Sequence, residues 1–101
     1  MEKFRLRFTP EAARLLSRFH PENKKLIKAA LDELRKNPFT GNELQEELSG
    51  FKSYKTKRYR ILYAISEEEN VIQIYYIGHR KDVYDQFRVL LTELRDRSES
   101  E

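Results

Sequence analysis

The chain has 101 residues, with 20 Lys or Arg, 17 Asp or Glu and a formal net charge of +3 at pH 7. This length allows one domain with a modest core and leaves no room for a second. The absence of cysteine excludes disulfides and thiolate metal sites. No stretch is apolar enough to span a membrane, and the N-terminal residues alternate charged with apolar side chains, unlike a secretory signal. We therefore expect a soluble cytoplasmic protein without a membrane partner.

The first half of the chain predicts a strand and a helical hairpin. Residues 4–8 alternate apolar and cationic side chains, as a half-buried strand does. Thr9-Pro10-Glu11 supplies an N-cap, a proline at the first helical position and an acid in the first turn of a helix that ends near Phe19. Pro21-Glu22 begins a second helix, which ends near Asn37-Pro38. Its apolar residues recur at helical spacing: Ile27, Ala30, Leu31 and Leu34.

The second half predicts a meander and a final helix. Residues 38–50 form a connector, after which the period becomes two over three segments: Phe51–Thr56, Tyr59–Ser66 and Val71–Ile77. Residues 83–95 return to helical spacing. Residues 1–96 are thus predicted as one domain, and residues 97–101 as a frayed polar tail.

The predicted fold class is α+β, with the order β-α-α-β-β-β-α. It consists of an N-terminal strand, a helical hairpin, a three-stranded antiparallel meander and a C-terminal helix. We expect the helices to pack against one face of an antiparallel sheet, because each amphipathic element needs an apolar surface to cover.

Cations concentrate in two segments of this second half. Residues 51–63 contain five Lys or Arg and no acid, and residues 78–84 bring together His, Arg, Lys and Tyr. If adjacent antiparallel strands place the two segments side by side, they form a cationic surface that suits a phosphate backbone. The same residues are also typical of a solvated hairpin tip and of aromatic side chains that pack on a sheet. Both interpretations stay open on these residues alone.

Three segments of the chain resemble toxins of the RelE/ParE superfamily, which belong to bacterial and archaeal toxin–antitoxin systems. These segments are Leu48-Ser49-Gly50-Phe51, Tyr59-Arg60-Ile61-Leu62-Tyr63 and Ile77-Gly78-His79-Arg80-Lys81-Asp82-Val83-Tyr84. The helical hairpin ahead of a short meander is also similar, so the resemblance covers nearly the whole chain. It implies a RelE-type toxin that binds in the ribosomal A site and cuts the mRNA codon there. It also implies a cognate antitoxin that inhibits the toxin and assembles with it into a hetero-oligomer.

The resemblance implies three catalytic residues directly. Arg60 matches the arginine of the family's Tyr-Arg pair, and Arg80 matches the arginine after the family's glycine. Tyr84 matches the tyrosine at the start of the last helix.

The family's two basic strand residues have two placements in this sequence. A gap-free match gives Ser53 and Lys55, whereas counting back through the Lys-x-Lys spacing gives Lys55 and Lys57. Lys55 is common to both placements and is taken as the third predicted cation of the site. The turn Thr56-Lys57-Arg58 differs from the Val-Gly-Asp type of turn in many relatives, which leaves the role of Lys57 open.

The predicted chemistry is cleavage of RNA by its own 2′-hydroxyl, with no metal and no cofactor. Arg60 and Arg80 suit bidentate contacts to phosphate oxygens, and Lys55 suits stabilisation of developing charge as a single cation. Tyr84 has the chemistry to stack on a base, orient a phosphate or donate a proton. Histidine is the side chain that titrates nearest to neutral pH, so His79 is the first candidate for acid or base.

Strand alternation constrains this set, because His79 and Arg80 point to opposite faces unless Gly78 breaks the strand. The other cations of the two segments are predicted to bind the RNA backbone: Lys52, Lys57, Arg58 and Lys81.

Two other functions compete with the nuclease. A ParE-like toxin has the same fold but poisons DNA gyrase by protein contact, and such relatives generally do not need the catalytic Lys, Arg and Tyr set. A small basic domain without catalysis, which binds RNA or a partner protein, is the third hypothesis. Steeply salt-dependent RNA binding without any product would favour that third hypothesis.

Overall fold

The computed structural model describes residues 4–79 and 82–99, and the side chains of 4–79 and 82–95. Their elements are, in chain order, β1 (Arg5–Phe8), α1 (Pro10–Arg18), α2 (Pro21–Lys36), β2 (Asn42–Glu43), β3 (Lys52–Lys55), β4 (Tyr59–Ser66), β5 (Val71–His79) and α3 (Val83–Glu99). The predicted order β-α-α-β-β-β-α is confirmed. The connector contributes the additional two-residue strand β2, which lies between the short 3-10 turns Pro38–Thr40 and Glu46–Leu48.

The helical hairpin begins as its sequence indicates. Thr9 caps α1, and its side-chain oxygen accepts a hydrogen bond from the backbone N–H of Ala12 at 3.1 Å. His20 caps α2 in the same way, because its Nδ1 accepts a hydrogen bond from the backbone N–H of Glu22 at 3.4 Å. The proline at the first position of each helix has no N–H to leave unpaired, so both starts are well determined.

The sheet has the strand order β1-β5-β4-β3-β2. The meander of β3, β4 and β5 is antiparallel as predicted, whereas β1 runs parallel to β5, with Arg5 opposite Val71. The sheet is therefore mixed, and the expectation of a purely antiparallel sheet is wrong. Because β1 and β5 are far apart in the chain, tertiary packing decides whether they pair in parallel or antiparallel, and the local sequence contains no signal for this direction.

The helices cover both faces of the sheet, which corrects the prediction that they share one. The hairpin of α1 and α2 packs on the face that carries Ile61 and Tyr63 of β4. Helix α3 packs through Val83 and Phe87 on the opposite face, with Leu62 of β4. We call these the hairpin face and the α3 face. β4 is apolar on both sides because it needs a partner on each, as expected for a central strand.

A β-bulge in β5 changes which residues reach each face. Leu62 pairs with Tyr76, but Tyr63 pairs with Ile74, so Tyr75 is an extra residue. Tyr75 and Tyr76 both join the core of the α3 face, and the alternation of β5 is inverted after them. As a result Ile77 packs in the hairpin-face core, where strict alternation from Ile74 would have placed it on the α3 face.

Helix α3 continues to Glu99, whereas the prediction ended it at residue 95 and assigned residues 97–101 to the polar tail. The residues after Arg95 include no glycine or proline, so nothing in them stops a helix. Residues 100 and 101 lie outside the described part of the chain. No helix in the described residues is long and apolar enough to cross a membrane.

Candidate functional site

Three polar side chains meet on the α3 face: Ser53 from β3, Arg60 from β4 and Tyr84 from the first turn of α3. Arg60 Nη1 donates a hydrogen bond to the Tyr84 hydroxyl at 2.7 Å and lies 3.5 Å from Ser53 Oγ. The Tyr84 hydroxyl donates to Ser53 Oγ at 3.2 Å. The guanidinium carbon of Arg60 also lies 5.2 Å from the centre of the Tyr84 ring. We call these three residues the Arg60 cluster.

The charge of Arg60 is not neutralised by any carboxylate of the described residues, since none of their ion pairs includes it. Its Nη1 contacts two neutral hydroxyls, and its buried Nε makes no hydrogen bond in the described structure. A partly buried cation held only by neutral groups costs free energy unless an anion completes its coordination. The cluster is therefore suited to bind an anion such as a phosphate, which would complete the coordination of the guanidinium.

Strand register adds Lys55 to this surface. Lys55 lies directly opposite Arg60, and Ser53 lies opposite Leu62, so Ser53, Lys55 and Arg60 all occupy the α3 face. Lys55 is exposed, whereas Ser53 is only 2% exposed. Lys55 is thus the solvent-exposed cation next to Arg60 on this face, and Ser53 is the buried member of the cluster.

The side chain of Thr56 helps to close the turn between β3 and β4, which contains no glycine. Its Oγ1 accepts a hydrogen bond from the backbone N–H of Tyr59 at 3.0 Å, and its own N–H donates to the Tyr59 carbonyl at 2.8 Å. Lys57 and Arg58 are exposed at the tip. Both cations therefore extend the positive surface beyond the cluster, and neither touches it in a described contact.

Gly78 lets the start of α3 approach the sheet. It lies opposite Arg60 in the β4–β5 pairing. A Cβ atom at this position would lie 3.1 Å from Tyr76 Cε1 and 3.4 Å from Val83 Cγ2. The absence of a Cβ atom avoids this tight contact and lets the start of α3, which carries Tyr84, lie close to the sheet.

His79 does not join the Arg60 cluster. It is paired with Tyr59, and the two ring centres lie 5.0 Å apart on the hairpin face. The bulge at Tyr75 is the physical reason, since strict alternation would have turned His79 to the α3 face. The predicted acid or base therefore lies on the other side of the sheet from the cations that it was expected to assist.

Lys52 also lies away from the predicted RNA surface. It is opposite Tyr63, so its side chain is on the hairpin face, and its Nζ lies 3.8 Å from a Glu43 carboxylate oxygen. Only 17% of the Lys52 side chain is exposed. The next residue, Ser53, takes the opposite face because of strand alternation. The prediction that groups Lys52 with the RNA-binding cations therefore puts it on the wrong face of the sheet.

Arg80 and Lys81 lie outside the described residues, so their predicted roles in catalysis and RNA binding stay predictions. On either side of them, β5 ends at His79, and the backbone N–H of Asp82 donates a hydrogen bond to the His79 carbonyl at 3.2 Å. They therefore connect the strand that carries Gly78 to the helix that carries Tyr84.

Sequence reasoning named Lys55, Arg60 and Tyr84 and missed the roles of Ser53, Thr56 and Gly78. A signal for Ser53 was present, since the gap-free match assigned it a site position where the relatives have a basic residue. The sequence indicates Gly78 only as a possible break in the strand. Its actual role, close packing under a helix, depends on the placement of α3.

Comparison with known proteins agrees with this architecture. The family model of the ParE toxin of type II toxin–antitoxin systems matches residues 6–84. Toxin RelG of Mycobacterium tuberculosis is 32% identical over 83 residues, which cover 80% of this chain and 95% of RelG. Among solved structures, a chain of the RelBE2 toxin–antitoxin complex of M. tuberculosis is similar with a TM-score of 0.71 and 31% identity, over 78% of this chain and all of that chain. The isolated RelE toxin of E. coli is similar with a TM-score of 0.67 and 20% identity, over 87% of this chain and 98% of RelE.

The fold and these matches define a toxin of a type II toxin–antitoxin system. Within that class, the chain belongs to the RelE/ParE toxin superfamily, which confirms the resemblance found in its sequence.

Proposed function

We propose that this toxin is a metal-independent endoribonuclease that cuts mRNA in the ribosomal A site. The observation that carries the proposal is the Arg60 guanidinium, which has no carboxylate partner among the described residues, contacts Tyr84 and belongs to the strand position opposite the exposed Lys55. The similarity to RelG supports the RelE branch of the superfamily.

Cleavage in this proposal is an in-line attack of the 2′-oxygen on the adjacent phosphorus. The bond from phosphorus to the 2′-oxygen forms as the bond to the 5′-oxygen breaks, so the 2′-hydroxyl loses a proton and the 5′-oxygen gains one. Arg60 grips the non-bridging phosphate oxygens, and Lys55 and Arg80 stabilise the charge that develops on them. Tyr84 contacts the same nucleotide, and Lys57, Arg58 and Lys81 bind flanking phosphates. His79 and Lys52 have no role in this scheme, because they lie on the hairpin face.

We also propose that the toxin acts in the cytoplasm, where the ribosomes are. A cognate antitoxin binds and inhibits it there. RelBE2 of M. tuberculosis and RelBE of E. coli are toxin–antitoxin complexes, which supports an equivalent hetero-oligomer here. A groove between the start of α1 and α3, lined in part by Pro10, Tyr75, Leu90 and Leu94, offers apolar surface to a helix of such a partner.

The first experiment is primer extension on a defined mRNA bound to ribosomes, with the same RNA without ribosomes alongside. Cuts at the A-site codon only in the presence of ribosomes would support the proposal. Arg60→Lys should lose most of this activity because it retains the charge but not the bidentate geometry. Lys25→Ala, an exposed cation of α2, is the matched control and should cut normally. Absence of cuts by the folded wild-type toxin would reject the nuclease.

A second candidate function is inhibition of DNA gyrase, and the family model that matches the chain, which is that of ParE toxins, favours it. Trapped gyrase–DNA complexes in the absence of mRNA cuts would establish this alternative. The Arg60→Lys variant separates the two functions, since a gyrase inhibitor that acts by protein contact has no need for a bidentate phosphate ligand.

A further inference from the structure

Ser53 is the buried polar residue of the described core, with 2% of its surface exposed. Buried hydroxyls cost free energy unless they are hydrogen-bonded, so such a residue usually has a specific partner. The partners of Ser53 are the two other members of the Arg60 cluster, at 3.2 Å from the Tyr84 hydroxyl and 3.5 Å from Arg60 Nη1.

The direction of the hydrogen bonds in the cluster follows from chemistry. A guanidinium has only donors, so the Tyr84 oxygen must accept from Arg60. The phenol hydrogen of Tyr84 then points away from Arg60, and Ser53 Oγ is the acceptor in that direction. Ser53 thus determines which way the Tyr84 hydroxyl is turned.

The orientation of Arg60 depends on the same contacts. Its Nε makes no hydrogen bond in the described structure, and no described carboxylate holds its other end. The hydroxyls of Tyr84 and Ser53 and the face of the Tyr84 ring are therefore the described contacts that fix the guanidinium. If one of these contacts is removed, the long Arg60 side chain can adopt several rotamers, and fewer contacts remain to favour one of them.

We infer that Ser53 is a positioning residue, which holds the Tyr84 hydroxyl, and through it the Arg60 guanidinium, in the orientation that receives the phosphate. It acts through these two residues and does not itself touch the RNA. The kinetic part of this inference rests on the proposed nuclease function, whereas the positioning of the two side chains is independent of it.

The kinetic test compares Ser53→Ala with Ser53→Thr, which restores a hydroxyl on the same Cβ. Misplaced catalytic groups cost about 100-fold in rate for a displacement of about 1 Å, so Ser53→Ala should lower kcat about 10- to 100-fold. KM for ribosome-bound mRNA should change little, because the other cations still bind the RNA. Ser53→Thr should recover most of the rate. Ser66→Ala, a serine at the far end of β4, is the matched control and should cut normally.

The second test needs no RNA. In the wild-type protein labelled with 15N, the Arg60 guanidinium should give slowly exchanging signals, assigned by their loss in Arg60→Lys. Ser53→Ala should broaden or abolish these signals, and Ser66→Ala should leave them unchanged. Unchanged Arg60 signals in folded Ser53→Ala would overturn the positioning role. Altered signals with unchanged kcat would overturn its catalytic relevance. Altered signals in a toxin that cuts no RNA would support the positioning and reject the nuclease instead.

Discussion

Two tyrosines, one on each face of the sheet, show how the environment of a residue determines its role. Tyr84 is half-buried on the α3 face, with its hydroxyl bonded to Arg60 and Ser53. Tyr63 is fully buried on the hairpin face, where its hydroxyl donates to the Pro38 carbonyl at 2.7 Å and accepts from the Gly41 N–H at 3.2 Å. The first phenol is available to a ligand, and the second anchors the connector to the sheet.

The pair gives a matched prediction for removal of one oxygen. Tyr84→Phe should lower RNA cleavage about 100-fold or more while the protein stays folded, because Arg60 loses the partner that orients it. Tyr63→Phe should cut RNA normally but lose about 1–3 kcal/mol of stability, because a buried N–H and carbonyl lose their partner. Primer extension and thermal unfolding of both variants provide the comparison. Equal losses of cleavage would mean that Tyr84 acts only through stability.

Tyr63 also predicts how stability depends on alkaline pH. Burial raises its pKa from 10.0 to about 12. Below pH 10 both the folded and unfolded states bind the phenol proton, so pH has no effect through this group. Between pH 10 and 12 the proton is lost mainly from the unfolded state, so the free energy of unfolding should fall by roughly 2–3 kcal/mol. The free energy of unfolding, measured with denaturant at several pH values in this range, should fall more steeply with pH for wild type than for Tyr63→Phe. Parallel curves would contradict this assignment.

His79 gives the complementary residue-scale prediction. Because its ring packs against Tyr59 on the hairpin face, His79→Ala should retain cleavage within a few fold and show the same pH profile as wild type. A flattened pH–rate profile between about pH 5 and 8 in this variant would instead identify His79 as the titrating group of the reaction.

At the scale of elements, the packing of α3 against β5 determines whether the site is assembled. The helix begins at Val83, only four residues after the last residue of β5, and it must lie close to the sheet for Tyr84 to reach Arg60. Further along the helix, Arg88 Nε lies 2.8 Å from a Glu47 carboxylate oxygen in the connector. Both groups are about half exposed, so this pair contributes at most about 1 kcal/mol, and close packing at Gly78 is the larger constraint.

Gly78→Ala tests this constraint. The new Cβ would lie 3.1 Å from Tyr76, whose hydroxyl is held by Gln86 at 3.0 Å, and 3.4 Å from Val83, which has few rotamers in a helix. We expect the unfolding free energy to fall by about 1 kcal/mol or more, because the start of α3 is pushed from the sheet. The rate of cleavage should fall by more than this loss of stability explains, because Tyr84 moves away from Arg60. Wild-type cleavage in the folded variant would show that the site tolerates a displaced helix.

At the scale of the whole molecule, one end of the sheet concentrates cations without any acid between them. The net charge is only +3, yet Lys55, Lys57, Arg58 and Arg60 lie at one end of the sheet. Acidic residues occupy other regions, such as the turn at Glu67–Glu69. An RNA should therefore be attracted to this end of the sheet.

The salt dependence of RNA binding measures this local charge. For single-stranded RNA, each neutralised phosphate contributes about 0.7 to the slope of log K against log salt concentration. Lys55→Ala should reduce the slope by about that amount, and Lys25→Ala on the opposite side should leave it unchanged. Equal slopes for the two variants would contradict a binding surface at this end of the sheet. Filter binding with a short RNA at several salt concentrations is sufficient.

The sequence by itself determined the elements of this protein and its family. Caps, prolines and apolar periods are local signals, so the hairpin, the meander and the last helix follow from residues near one another, as do the segments that carry the superfamily resemblance. Tertiary structure alone decided the parallel β1, the position of α3 on the second face and the bulge at Tyr75. One extra residue in β5 moved His79 away from Arg60, and strand register brought Ser53 beneath Tyr84. Such outcomes depend on pairings between distant segments, whose energies are set by packing and which no local pattern encodes.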